Sequence, residues 1–373
     1  MIKSNSHKVY ISFGSNKGNR LNNLIKSLKE IEVQVGRVIK LSNIYKTKSW
    51  GFKSRDFYNG CVLIKTKFSP ETVLKKLLSI EDSLGRIRDN NEIYSSREID
   101  LDILFYDDLI QSTKNLTIPH PQIHKRNFVL IPLIDIAKDL FHPKINLSIK
   151  KLISVSDDTL EPKKLDNNNY YVPFWDRYSF ISIEGNIGVG KTTLSQKIKS
   201  HFDIELLSEN YNKNPFLKEF YSNPKEVSLK LEHFFLTERS NQIKNHFAAN
   251  KKRKTISDFW IGKSMIFGKK NLLQDQYKVF SDNFKRVYLG LEKPEIIIFL
   301  KQNTVQLQKQ IIDRGRSFEK KISGSYLDSI SEEYHAIFEK KNHFILIELN
   351  PKEVLNLKRE KGQEHLYRKL INY

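Results

Sequence analysis

The sequence of 373 residues holds a single cysteine, Cys61, and only 2 methionines. One thiol cannot close an internal disulfide, which excludes the disulfide-stapled secreted scaffolds and suits a reducing compartment. No apolar run approaches the roughly 18 to 20 residues that cross a bilayer, so a helical membrane span is excluded. Met1-Ile2-Lys3-Ser4 leads directly into a strand-like segment without the apolar stretch of a secretory signal, and a cytoplasmic location is expected. Acidic residues are also scarce: 43 Asp and Glu against 63 Lys and Arg leave a net charge of +20. Such a balance raises nucleic-acid binding as a rival function. The basic residues, however, are mostly lysines scattered along the whole chain, and Lys251-Lys252-Arg253-Lys254 reads as a solvated loop before a strand. The expected partners are therefore small molecules, with no nucleic acid and no membrane.

What is present suggests two domains, since the length exceeds one modest core. Between Ser154 and Asp176 the apolar pattern is broken by Asp-Asp, Lys-Lys and Asp-Asn-Asn-Asn, which reads as a linker. Before it, Val9, Ile11 and Phe13 alternate as on a strand, and Leu21, Leu24, Ile25, Leu28 and Ile31 recur at helical spacing. Further strands are expected at Cys61 to Thr66 and Asp100 to Phe105, with a helix from Pro70 to Leu84. This predicts an α+β ferredoxin-like sandwich over residues 1–155, followed by a linker at 156–177. After it, Tyr178 to Glu184, Thr255 to Asp258, Glu295 to Leu300 and His343 to Glu348 are short apolar runs between long helical segments. These predict the buried strands of a parallel sheet in an α/β domain over 178–350, with a charged tail at 351–373.

The most informative stretch of the first half is Arg97-Glu98-Ile99-Asp100-Leu101-Asp102-Ile103-Leu104-Phe105. On a strand, Asp100 and Asp102 share one face while Leu101, Ile103 and Phe105 face the core. Their carboxylates then lie about 7 Å apart. Their repulsion at an effective dielectric near 20 is about 2 kcal/mol, so a cation between them is favoured. Hard oxygen ligands suit Mg²⁺, which completes its shell with water and phosphate. Arg86, Arg88 and Arg97 bracket an irregular segment, Asp89 to Ser96, suited to cover a polyphosphate. Glu81 falls on the apolar face of the preceding helix, where a carboxylate requires a partner.

Together with Gly14-Ser15-Asn16, Tyr45-Lys46-Thr47 before Gly51, Phe57-Tyr58-Asn59, Gly85-Arg86-Ile87-Arg88 and Pro119-His120-Pro121 running into Arg126-Asn127-Phe128, this stretch resembles the 6-hydroxymethyl-7,8-dihydropterin pyrophosphokinases of folate biosynthesis, over about residues 7 to 150. The resemblance implies that Asp100 and Asp102 hold two Mg²⁺ ions and that Arg86, Arg88, Arg97, His120 and Arg126 lie near ATP, with Glu81 facing the nucleotide side. It further implies a pterin pocket of Thr47, Phe57, Asn59 and Phe128, the ring stacked between the aromatics. Tyr94 stands where that family has a tryptophan, and the segment around it is about one residue longer. The implied reaction moves the β,γ-diphosphate of ATP to the pterin hydroxymethyl oxygen and releases AMP.

The second half opens with Phe180-Ile181-Ser182-Ile183-Glu184 and then Gly185-Asn186-Ile187-Gly188-Val189-Gly190-Lys191-Thr192. This is the G-x-x-x-x-G-K-[ST] phosphate loop, with Gly185, Gly188 and Gly190 shaping it, Lys191 reaching the phosphates and Thr192 ligating Mg²⁺. Glu209, Asn214-Pro215-Phe216-Leu217, the segment Leu231 to Arg239, and Arg314-Gly315-Arg316-Ser317-Phe318-Glu319 before Tyr326-Leu327 make this half resemble the deoxynucleoside kinases, over about residues 178 to 350. By that resemblance Glu209 is the base for a 5′-hydroxyl and Arg239 lies beside it. Arg314 and Arg316 form a lid, Glu319 binds the 3′-hydroxyl, and Glu232 stands where many members read the base with glutamine. Asp258-Phe259-Trp260 departs from the family's acidic–Arg–Ser pattern, leaving Lys263 as the available cation, a point charge without a guanidinium fork. Gln310 replaces an earlier lid arginine.

The chain thus reads as a fused enzyme taking ATP as co-substrate with Mg²⁺, its other substrates being hydroxymethyldihydropterin and deoxynucleosides. A homodimer through the kinase-like half is expected. The rival reading keeps only the first half catalytic, with the second as a nucleotide-binding or dimerisation module.

Overall fold

The computed structural model describes residues 6–49, 52, 54–86, 95–166, 170–249, 253–320, 322–340 and 343–373. Gly51, Arg88, Tyr94, most of Asp89 to Ser96, Lys251 and Lys252 lie outside the described residues. The chain divides into two units, one of residues 1–177 with 201–203 and 364–373, the other of 178–200 and 204–363.

The first unit is built on a six-stranded sheet. Its strands are β1 (His7–Ser15), β2 (Arg37–Leu41), β3 (Tyr45–Thr47), β4 (Phe57–Thr66) and β5 (Asp100–Tyr106), with a hairpin of β6 (Gln111–Ser112) and β7 (Thr117–Ile118) apart from it and β8 (Lys163–Lys164) at its edge. The order is β5-β1-β4-β3-β8 with β2 also on β4, and every pairing is antiparallel. Helices α1 (Arg20–Gln34) and α2 (Pro70–Ser83) bring Leu24, Leu28, Ile31, Val73, Leu77 and Ile80 onto one face. Helices α3 (Asn127–Ala137) and α4 (Ile149–Val155) cover the other with Val129, Leu130, Leu133, Ile149 and Leu152. The start of α2 follows from Ser69-Pro70, where Ser69 Oγ accepts from Thr72 N at 3.4 Å and proline takes the first turn.

Two expectations need correction. Phe105 does not share a face with Leu101 and Ile103: the register slips between Tyr10 and Ile11 opposite Leu104, and this bulge turns Leu104 and Phe105 into the α3–α4 core while Leu101 and Ile103 stay in the α1–α2 core. The stretch read as a linker is part of the first unit. Within it β8 pairs with β3, Asp158 accepts from Asn127 N at 2.6 Å, and Tyr170, Phe174 and Trp175 are buried. Its polar residues hide the apolar ones that anchor it, because aromatics at irregular spacing carry no period.

The second unit holds a parallel sheet, β10 (Glu205–Leu207), β11 (Thr255–Ser257), β9 (Phe180–Gly185), β12 (Ile296–Leu300) and β13 (Ile345–Leu349) in that spatial order. The central strands β9 and β12 are buried along their whole length, and β12 is wholly apolar, as a sheet covered on both faces requires. After α5 (Phe174–Arg177), which closes the first unit's main segment, come α6 (Lys191–Phe202), α7 (Leu217–Phe220), α8 (Pro224–Ala249), α9 (Lys263–Asn271), α10 (Gln274–Leu289), α11 (Thr304–Arg314), α12 (Gly324–Phe338) and α13 (Pro351–Asn356), and then α14 (Glu360–Ile371), most of which, from Glu364 on, is grouped with the first unit. Ligands of such sheets gather at the carboxyl ends of the strands, here the end of β9 where the phosphate loop begins. No described helix is long and apolar enough to cross a membrane.

Candidate active sites

In the first unit the strand register assembles the site. Asn59 on β4 stands opposite Gly14 on β1, and Gly14 stands opposite Asp100 on β5. Asn59 and Asp100 therefore flank Gly14 on one sheet face, about 10 Å apart at the usual strand spacing. A Cβ on Gly14 would fall 2.4 Å from Asn59 Oδ1, so the amide occupies space that only glycine leaves. Asn59 Nδ2 donates to Thr47 Oγ1 at 2.7 Å, fixing the amide's orientation. Thr47, Phe57, Asn59, Arg97, Asp100 and Phe128 line one cleft of about 410 Å³. Phe52, Lys48 and Arg126 line it too. Phe52 meets Phe57 edge-on with ring centroids 6.2 Å apart. The sequence reading missed Phe52, which lies in an irregular segment between strands where no periodicity marks it.

The charged residues form a connected set. Arg86 donates to Asp100 Oδ1 at 2.7 Å and pairs with Glu81, while Glu81 Oε1 also accepts from Leu101 N at 2.7 Å. Glu81 is 1% exposed, so it acts on Asp100 through Arg86 and on the β5 backbone directly. Arg97 Nη2 lies 3.4 Å from Asp100 Oδ2. Asn16 clamps that arginine's backbone: its Oδ1 accepts from Arg97 N at 2.7 Å, and its Nδ2 donates to Ser54 at 2.9 Å and Ser96 at 3.1 Å. Burial and then the charge of Asp100 push the Asp102 carboxyl up, against Arg126, Arg97 and Arg86. His120 is pushed down to about 4 by burial and then Arg126, so its ring is neutral. Its Nδ1 accepts from Gln122 N at 3.2 Å.

In the second unit Gly185, Gly188 and Gly190 have φ of 148°, 86° and 101°. At Gly188 a side chain would be strained and would also meet Ile311 Cγ1 at 2.7 Å, which explains the glycine. Lys191 Nζ donates to the carbonyls of Gly185 at 2.6 Å and Asn186 at 3.1 Å, curling the loop about itself. Burial and Lys263 draw its ammonium down to about 8. Asp258, directly after β11, joins two parts of the site: Oδ2 accepts from Thr192 Oγ1 at 2.7 Å and Oδ1 from Glu209 N at 2.8 Å. Glu184 ends β9 in the same manner, accepting from Trp260 N at 2.8 Å and Gly185 N at 3.1 Å. No sequence pattern announced these two tethers, because their partners lie 66 and 76 positions away.

Glu209 is gripped from two sides. Arg239 Nε and Nη2 both lie 2.7 Å from its Oε1, and Lys263 Nζ donates to Oε2 at 3.0 Å. Against the upward push of burial, Lys263 and Arg239 hold the carboxyl down to about 2. Lys263 thus stands against Glu209 in a chain that lacks the arginine of the family pattern. Arg314 pairs with Glu319, and Arg316 donates to Glu319 Oε1 at 3.0 Å while its guanidinium lies 3.7 Å from the centre of the Tyr211 ring. A cleft of about 830 Å³ brings together Lys191, Glu209, Glu232, Arg239, Arg314 and Glu319. A second opening, which Gln310 also lines, runs along Gly188, Gly190, Lys191 and Thr192.

A phosphate loop on a parallel sheet in one unit, and paired strand carboxylates ringed by arginines in the other, define a chain of two ATP-using group-transfer enzymes. The profile of the 7,8-dihydro-6-hydroxymethylpterin-pyrophosphokinases matches residues 10–138, and that of the deoxynucleoside kinases matches residues 181–372. The chain belongs to both families. Residues of the first half are 39% identical over 156 residues to the folic acid synthesis protein fol1 of Pneumocystis carinii, covering 41% of this chain and 21% of that protein. They are 38% identical over 154 residues to the 2-amino-4-hydroxy-6-hydroxymethyldihydropteridine pyrophosphokinase of Synechocystis sp., covering 41% of this chain and 78% of that one. The second half is 39% identical over 158 residues to a deoxyguanosine kinase of Bacillus subtilis, covering 42% of this chain and 76% of that one. A solved structure of a deoxyadenosine kinase from M. mycoides matches at 25% identity with a TM-score of 0.45, covering 52% of this chain and 98% of that one.

Proposed function

We propose that the chain is a bifunctional enzyme. Its first unit, a ferredoxin-like sandwich, transfers diphosphate from ATP to 6-hydroxymethyl-7,8-dihydropterin, and its second transfers the γ-phosphate of ATP to the 5′-hydroxyl of a deoxynucleoside. The observation that carries this reading is that phosphate-handling and acceptor-binding residues share one wall in each unit. Asp100 lines the same cleft as Asn59 and Phe128, and Lys191 the same cleft as Glu232 and Glu319.

In the first site Phe57 and Phe128 offer their faces to a flat heterocycle, and the oriented Asn59 amide meets its edge with Thr47 behind it. Arg97, Arg126 and neutral His120 bind the triphosphate, Arg88 joins them, and Arg86 with Glu81 holds Asp100 in place. Among the described residues no group of three or more His, Cys, Asp or Glu side chains could hold a metal ion. Two carboxylates on one strand, one of them raised by burial and then by its neighbour, nonetheless fit Mg²⁺, which takes the rest of its shell from phosphate and water. Held there by Asp100 and Asp102, Mg²⁺ would neutralise negative charge on the triphosphate. Alignment of the pterin hydroxyl with the β-phosphorus then requires no covalent intermediate.

In the second site the loop amides and Lys191 cradle the triphosphate, and Thr192 with Asp258 would hold Mg²⁺. Glu319 binds the sugar 3′-hydroxyl, and Arg314 and Arg316 close over the phosphate in flight. Glu209, held near 2, is a weak base in the resting site. It serves chiefly as an acceptor that aims the 5′-hydroxyl, which a loose phosphoryl-transfer transition state tolerates. The reading also includes a cytoplasmic location and a homodimer through the second unit.

Product analysis by mass tests both activities. The full chain with ATP, Mg²⁺ and the pterin is expected to yield AMP and pterin diphosphate, and with deoxynucleosides ADP and a monophosphate. No monophosphate from any deoxynucleoside would favour a catalytically silent second unit; ADP in place of AMP with the pterin would refute the diphosphate transfer.

A further inference from the structure

Two residues that line the cleft of the first unit sit at the start of α3, Arg126 just before the helix and Phe128 in its first turn. The amides of a first turn have no partner within the helix and need an acceptor. Arg126 occupies the capping position, and its side chain makes no capping hydrogen bond. The acceptor comes instead from 31 positions further along the chain, where Asp158 Oδ2 accepts from Asn127 N at 2.6 Å. The side-chain amide of Asn127 returns the contact, donating to the carbonyls of Asp158 at 2.6 Å and Leu160 at 3.2 Å. Asp158 is itself held: its Oδ1 accepts from Leu160 N at 3.0 Å, and its N–H donates to Ser156 Oγ at 3.2 Å. A carboxylate there also meets the positive end of the helix dipole.

The same stretch grips the strand that carries Thr47. In the β8–β3 pairing Lys164 stands opposite Tyr45 and Lys163 opposite Lys46, and Leu165 N donates to the Ile44 carbonyl at 2.9 Å. β3 ends at Thr47, the acceptor of the Asn59 amide. Residues 158–165 thus join the Arg126–Phe128 side of the cleft to the Thr47–Asn59 side. The body of α3 is tied separately, since Asp135 Oδ2 accepts from Asn43 N at 3.0 Å, Asn43 Nδ2 at 2.8 Å and the Tyr45 hydroxyl at 3.1 Å. Loss of the Asp158 carboxylate therefore loosens the first turn and leaves the rest of the helix anchored.

Resting on the pyrophosphokinase reading above, we infer that Asp158 is a positioning residue of the first site, fixing where Arg126 meets the triphosphate and Phe128 meets the pterin. The two side chains flank Asn127, with the guanidinium 5.7 Å from the centre of the Phe128 ring, so one tether at Asn127 places both. Asp158 acts only through the α3 backbone. Without it both substrates must order their own contacts on binding, and the loss is read in KM for each.

The test measures initial rates of the full chain with ATP, Mg²⁺ and the pterin in the wild type, Asp158→Ala and Asp158→Asn. Asp158→Ala is expected to raise KM for the pterin about tenfold and KM for ATP about threefold. Asp158→Asn keeps one acceptor oxygen for Asn127 N and should lie between the two. Phosphorylation of deoxynucleosides by the same protein is the control for folding and should be unchanged. A merely structural role would reduce the active fraction, lowering kcat at constant KM; that outcome, or wild-type values of both KM and kcat, overturns the inference. Hydrogen exchange gives a readout that needs no turnover: amides of residues 127–130 should exchange faster in Asp158→Ala, with those of 133–137 as in the wild type. Unchanged exchange at 127–130 sinks the tether. No pterin diphosphate from the wild type would count against the pyrophosphokinase reading instead, and the exchange result alone then decides whether Asp158 holds the start of α3.

Discussion

The two sites place a buried carboxylate under opposite electrostatic regimes. Asp102 is raised because burial and Asp100 outweigh the arginines around it, whereas Glu209 is held down to about 2 by Lys263 and Arg239 in direct contact. In the first site the arginines do not offset burial and Asp100 at Asp102, and under the proposed function a cation from solution would meet its carboxylates; the second carries its counter-charges on its own helices. Their construction differs accordingly. Residues of the first site lie largely across neighbouring strands of an antiparallel sheet, and those of the second come from helices and loops at the carboxyl end of a parallel sheet.

If the first site depends on an external cation, Asp100→Ala should do the greatest damage. Diphosphate transfer is expected to fall about a thousandfold. Phosphorylation of deoxynucleosides by the same variant should be unchanged, and parallel loss of both products would break the comparison. Glu209→Gln keeps the shape but removes the charge that Lys263 and Arg239 neutralise. Monophosphate formation should drop about a hundredfold, read as kcat rather than KM; retention of wild-type kcat would deny the residue a place at the reacting hydroxyl. A subtler change is Gly14→Ala, whose methyl group displaces the Asn59 amide. The KM for the pterin should rise about tenfold, with little effect on that for ATP, in initial-rate measurements.

The smallest expected effect concerns stability. The carboxyl of Glu232 stands at about 7 in the folded chain against an ordinary value of 4.5. Its raised value means that stability present below the unfolded value is lost as pH rises through about 7. Glu232→Gln keeps the bond from Asn271 and removes the titration. Thermal melts should coincide below about pH 4.5, separate between about pH 4.5 and 7 and stay a constant few degrees apart above it, the variant melting higher. Identical pH profiles would show that the carboxylate imposes no strain.

The sequence exposed residues whose chemistry coincides with a regular period or a contiguous motif. Asp100 and Asp102 are visible because a strand alternates, and the phosphate loop because its glycines and Lys191 are consecutive. Phe105 was assigned to the wrong face because one extra residue at Leu104 shifts the phase, and nothing in an apolar run marks a bulge. Tyr170, Phe174 and Trp175 were hidden in a polar stretch. The hydrogen bonds from Tyr326 to Asn271 and from Asn271 to Glu232 were illegible because they join residues 55 and 39 positions apart, which no pattern encodes. Lys263 was visible only as a candidate; its contact with Glu209 depends on how α9 approaches the loop after β10.

Asp258 has a consequence for how the second site responds to distortion. A single side chain carries both the hydroxyl of the phosphate loop and the backbone of the residue aimed at the acceptor. Thermal displacement of β11 therefore carries both groups in the same direction, and the gap between phosphate and alcohol changes less than either position does. Tolerance to motion is built in at one atom pair, and a shorter or longer side chain there would let the two sides drift independently.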